Sequence, residues 1–158
     1  MNKFELVGLS YMYDADGVNT NEYNVIKVNV NDFSGFDVEA ESKVVPLLTD
    51  GLSLHDAVGF GMDKLGNYYC AFNHSENGEY GSKVFLIDKS NGTLKEEFTT
   101  GEIYSLEYDD KSNSLFCVVY DEDSGDVRFV QYDLSSRTKV RNEVLNHAAG
   151  IIGMRVMK

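Results

Sequence analysis

Short runs of alternating apolar and polar residues recur along this chain, each closing in a polar turn. Thr93 to Phe98 and Thr138 to Leu145 read this way, Phe4 to Tyr13 and Val25 to Val30 do so less strictly, and Val84 to Asp88 is an apolar run that closes in Asp. A period of two puts alternate side chains on one face of an extended strand, and β-branched and aromatic residues favour that state. Tyr68 to Phe72 and Leu115 to Val119 are denser apolar runs, also predicted as strands. No stretch sustains a helical period. Val44 to Leu48 is apolar but holds Pro46, so the pattern predicts a connector there.

The runs repeat about every 46 residues. Sliding Ala57–Asn67 by one period places Ala57 on Ile103, Phe60 on Leu106, Met62 on Tyr108 and Asp63 on Asp109. Cys70 falls on Cys117, and Val84–Asp88 on Phe129–Asp133. Two periods on, His55 to Met62 aligns without a gap on His147 to Met154, and His, Ala, Gly and Met recur at matched places. Each unit reads as four strands a, b, c and d joined by short turns.

The turn in Phe85-Leu86-Ile87-Asp88-Lys89-Ser90-Asn91-Gly92-Thr93-Leu94 resembles the c–d hairpin of the YVTN and PQQ-type β-propeller repeats. There a strand ends in Asp, turns through a Gly and leaves as an alternating strand. Tyr132-Asp133-Leu134-Ser135-Ser136-Arg137-Thr138 is similar but lacks the Gly, and Val30-Asn31-Asp32-Phe33-Ser34-Gly35-Phe36 keeps the Gly with Asn for Asp. The resemblance covers nearly the whole chain and implies a fold, not an activity.

Counted by unit, the first (about residues 4–42) supplies b as Phe4 to Tyr13, c as Val25 to Val30 and d as Phe36 to Ala40, and lacks a. The second (about 55–99) and third (about 102–145) have all four, and residues 150–157 match strand a alone. The expectation is an all-β chain of twelve strands in three four-stranded antiparallel blades, one propeller-like domain over 1–158. Propellers typically hold four to eight blades. Two copies would give six, with each tail completing the partner's first blade, so a homodimer is expected. A monomer in a sandwich or three-sheet prism, or a fragment of a longer propeller, would use the same strands.

Composition narrows the partners. With 14 Gly and 1 Pro among 158 residues, turns fall to Gly, Asn, Asp and Ser. A net charge of −12 argues against nucleic acid and anionic membrane. Cys70 and Cys117 sit in apolar runs and read as buried free thiols of a reducing compartment. Glu5, Gly8 and Ser10 interrupt the first apolar stretch, and no run reaches membrane-spanning length, so a cytoplasmic protein is expected. Asn73-His74-Ser75 and Asn91-Gly92-Thr93 match the glycosylation sequon, and both read as turns.

In a propeller, strand a lines the channel and the loop leading into it forms part of one face. His55, Asp56, Glu102 and His147 hold those positions and are the candidate ligand-binding residues at the channel mouth. Such groups suit a polar ligand or a metal, whose identity the sequence leaves open. Gly59, Gly61 and Gly153 on strand a suit crowding near an axis. The b–c hairpins, Asp14 to Glu22 and Asp121 to Asp126, are acidic. The first carries oxygen ligands two apart but departs from the EF-hand loop in its Gly and Glu positions, so both are expected to be Asx-type turns. Tyr11, Tyr13, Tyr23, Tyr80 and Tyr104 lie near loops, where they pack or stack on a ligand.

No G-x-S-x-G, P-loop, dinucleotide glycine fingerprint or CxxC is present, so no catalytic residue is marked and no cofactor is expected. The expected function is a non-enzymatic binding or scaffold protein using one face of the ring, with itself and another protein as partners. The alternative is a lectin or enzyme holding a small polar or sugar ligand, metal-dependent or not, at the channel mouth.

Overall fold

The computed structural model describes residues 4–30, 38–49, 54–76 and 78–145. These form eleven strands and no helix, in three antiparallel sheets. The first holds β1 (Phe4–Tyr13), β2 (Asn19–Val30) and β3 (Val38–Pro46). The second holds β4 (Leu54–Met62), β5 (Tyr68–Glu76), β6 (Glu79–Ile87) and β7 (Leu94–Thr100). The third holds β8 (Glu102–Asp109), β9 (Ser114–Asp121), β10 (Asp126–Asp133) and β11 (Thr138–Val144). Each sheet is a meander in chain order, as the repeat predicts. The chain divides into two compact units, residues 1–50 with 88–94, and residues 51–87 with 95–158.

In the first unit β1 and β2 pair from Phe4↔Val30 to Tyr11↔Tyr23, and Tyr23, Asn24 and Val25 are buried. One expectation is corrected here. Val44 to Pro46 were read as a connector, but β3 runs through them, with Val25↔Val45 and Asn24↔Pro46 in register. β3 is an edge strand and Pro46 is its last residue, where a missing N–H breaks no ladder. Beyond it, the N–H of Leu48 donates to the carbonyl of Gly92 at 2.9 Å, which joins the 88–94 turn to this unit.

In the second unit two four-stranded sheets share one core. Tyr69, Ala71 and Val84 of the second sheet meet Leu106, Cys117 and Val130 of the third. Phe98 and Tyr132 stack with centroids 4.2 Å apart. Burying a side chain the size of Val or Leu contributes roughly 1.5–3 kcal/mol, so this shared face stabilises both sheets together. β4 and β8 approach closely: a Cβ on Gly59 would lie 2.7 Å from the Cβ of Leu106. The crowding expected at strand a is therefore present at Gly59, while Gly61 meets only ordinary contact with Tyr108. Gly153 lies outside the described residues, as does the tail strand 150–157.

Five strands or hairpins end in an Asp that folds back on its own turn. Asp14 Oδ1 accepts from the N–H groups of Asp16 and Val18, both at 2.9 Å, so this oxygen is used by the Asx-type turn. Asp63 does the same for Leu65 and Asn67. The hydroxyls and amides of Ser90 and Ser112 hold the Asp88 and Asp109 carboxyls below their ordinary range, and the amide and hydroxyl of Ser136 do so for Asp133. A carboxyl depressed in the folded state supports folding above its unfolded value, and that support is lost as pH falls through the folded value.

Arg137 stands where the second repeat has Gly92, and it takes the same left-handed backbone, φ 56° against 77°. A side chain there costs roughly 1–2 kcal/mol. The compensation is electrostatic. Glu97 on β7 has a side chain only 3% exposed, and its Oε1 lies 3.6 Å from Arg137 Nη2. Lys139 adds a second tie from the same hairpin, donating to the Thr99 carbonyl at 2.7 Å. A double-mutant cycle with Arg137→Ala and Glu97→Gln, read by chemical denaturation, is expected to give a coupling of about 1 kcal/mol, held down by the exposure of Arg137. A coupling near zero would show that the pair does not hold β7 to the β10–β11 turn.

Candidate functional site

The hairpin between β5 and β6 is tight. Its register runs unbroken from Tyr68↔Ile87 to Glu76↔Glu79, and Gly78 takes φ 85° at the turn. Asn73, His74 and Ser75 were expected in a turn; they lie inside β5 instead. The other sequon, Asn91-Gly92-Thr93, is in a turn as expected.

This end of the second sheet meets the start of β8. The segment Thr100-Gly101-Glu102 passes between the β5–β6 hairpin and the end of β9. Two glycines allow it. A Cβ on Gly81 would sit 2.7 Å from the Thr100 carbonyl oxygen, and one on Gly101 would collide with the Tyr120 carbonyl. Behind them Ser82 is fully buried. Its hydroxyl donates to Asn73 Oδ1 at 2.8 Å and accepts from the N–H of Ile103 at 2.9 Å, fastening β8 to the second sheet.

The result is an open cavity of about 270 Å³ lined by Asn73, His74, Tyr80, Gly81, Glu102, Tyr120 and Glu122. Glu102 and Tyr120 are opposite each other in the β8–β9 register, so their side chains share a face. Tyr104 and Tyr120 stack with centroids 6.4 Å apart and planes 14° apart, which fixes one wall. Burial, followed by the Glu102 carboxylate and Tyr120, pushes the Tyr104 hydroxyl up from its ordinary value. Tyr80, on β6, also lines the cavity and is 66% exposed.

Of the four sequence candidates, Glu102 lines this cavity and is exposed at the start of β8. His55 and Asp56 lie on β4, and their side chains are outside the described residues, as is all of His147. Among the described residues no three of His, Cys, Asp and Glu come together to hold a metal ion. Tyr80 and Glu122 were visible in the sequence as a loop-end ring and a hairpin acid. Asn73, His74 and Tyr120 were not, because each sits within a strand run and nothing in the spacing brings them near Glu102.

No protein-family model matches the chain, and neither a curated protein nor a solved structure matches it.

The close approach at Gly101 gives a direct test of how the cavity is built. Gly101→Ala must displace the Tyr120 backbone and is expected to cost about 1–3 kcal/mol in denaturant unfolding, as other overpacked sites do. Unchanged stability would show that the segment has room to spare.

Proposed function

We propose that the chain is a non-enzymatic binding protein built from propeller blades, and that the cavity between the β5–β6 hairpin and the ends of β8 and β9 holds its ligand. The observation that carries this reading is the cavity's composition. The exposed Tyr80 ring, the half-buried Tyr120 ring and the exposed Glu102 and Glu122 carboxylates line an open space, while the nearby Ser82 hydroxyl is already used to fasten β8. Pockets that mix aromatic walls with a few polar groups bind small ligands or single side chains. Two buried free thiols, with burial pushing Cys117 up to about 12, fit a reducing compartment such as the cytoplasm. No helix of the described residues is long and apolar enough to cross a membrane.

The propeller reading rests on the repeat and on the way β4 and β8, the first strands of consecutive sheets, lie together. It extends to assembly. The first sheet has three described strands where the others have four, and among the described residues no strand equivalent to β4 and β8 lies beside β1. Residues 150–157 carry the matching pattern. We therefore propose that this segment of a second copy lies against β1, giving a six-bladed ring from two chains. The far face of the third sheet supports this, since Phe116 and Phe129 contact each other there, 5.4 Å apart, and stay partly exposed.

Two measurements check these proposals. A chemically broad panel of small ligands, followed through backbone amide shifts, is expected to yield binders whose shifts cluster at Gly81, Gly101 and Tyr120. Binders that map only elsewhere would remove the cavity from consideration. Sedimentation of the full chain is expected to give about 35 kDa, twice 17.7 kDa, and a chain ending at Leu145 is expected to lose the second copy. A full-length monomer at micromolar concentration would end the two-chain ring.

A further inference from the structure

We infer that the ligand of this cavity is an organic cation, a primary ammonium or guanidinium group, balanced by Glu102 and Glu122 and flanked by the rings of Tyr80 and Tyr120. The inference rests on the reading of the cavity as a binding site and adds the chemical class of what it binds.

Charge balance is the first argument. The neighbouring acids are already compensated: Arg128 lies 4.0 Å from Asp121 and 3.4 Å from Asp126. Among the described residues no cation pairs with Glu102 or Glu122, and no Lys or Arg lines the cavity. The cavity therefore presents two carboxylates in need of positive charge. The net charge of −12 raises the local concentration of cations further.

Hydrogen-bond capacity is the second. Ammonium and guanidinium groups donate and do not accept. The Glu102 and Glu122 carboxylates offer acceptors only, which suits such a group. The rings are the third. A cation over the face of a tyrosine is attracted by the negative face of the ring, and Tyr80 has its ring in the open. A metal ion answers the same charge less well, since no three of His, Cys, Asp and Glu among the described residues converge on one point.

The test uses the full chain and amide shifts at Gly81, Gly101 and Tyr120. The probes are putrescine, the blocked amino acids N-acetyl-lysine and N-acetyl-arginine methylamide, the same lysine acetylated on its side chain, and N-acetylglucosamine. The amines and the guanidinium are expected to move these amides, more weakly as salt rises, and the acetylated lysine and the sugar are not. Glu102→Gln with Glu122→Gln keeps both shapes and is expected to weaken binding roughly five- to tenfold with the melting curve unchanged. Tighter binding of putrescine would point to a free amine, and tighter binding of the blocked amino acids to a basic side chain on a partner; both support the inference. If the acetylated lysine or the sugar binds as well as the amines, or the double variant keeps full affinity, the cation is wrong while the cavity stands. If neither these probes nor the broad panel moves the three amides, the binding site itself falls, and the inference with it.

Discussion

A four-stranded sheet has two faces and no means of burying either by itself. The second unit resolves this by laying two such sheets against each other, and the shared core of Tyr69, Val84, Leu106, Cys117 and Val130 is the interaction from which the rest follows. It fixes the distance between β4 and β8, which in turn requires Gly59 opposite Leu106. It fixes where the Thr100–Glu102 connection must run, and so where a cavity opens. At the opposite end it brings β7 beside the β10–β11 turn, where Arg137 meets Glu97. The cavity and the Arg137–Glu97 pair are two ends of one packed interface.

Much of this was legible in the sequence, for physical reasons. Period-two alternation survives because each sheet has distinguishable faces, and the strand-ending Asp recurs because its carboxylate satisfies the amides of the turn that follows. Asp63, Asp88, Asp109 and Asp133 all do so. The absent glycine at position 137 was visible too. Its meaning was not, because the partner that offsets the strained backbone, Glu97, lies forty residues away on another sheet.

The misreadings share a cause. Pro46 was taken to break a strand, yet at the end of an edge strand its missing donor faces no neighbour. Asn73-His74-Ser75 looked like a turn by composition, but strand pairing continues through Glu76↔Glu79 and the turn comes at Gly78. Local composition reports what a segment tolerates; register with a distant segment decides what it does. The cavity is the extreme case, because its walls come from β5, β6, β8 and the β9–β10 hairpin and exist only once two sheets have met.

β11 is the outermost strand of its sheet, and all seven of its residues are exposed, with Lys139, Arg141 and Glu143 among them. An open row of backbone donors and acceptors invites uncontrolled polymerisation into fibrils. Long charged side chains along that ribbon make it a poor template, since any chain docking there would strip water from them. Among the described residues no strand pairs with that margin, and its charge discourages neighbouring molecules from adding to it.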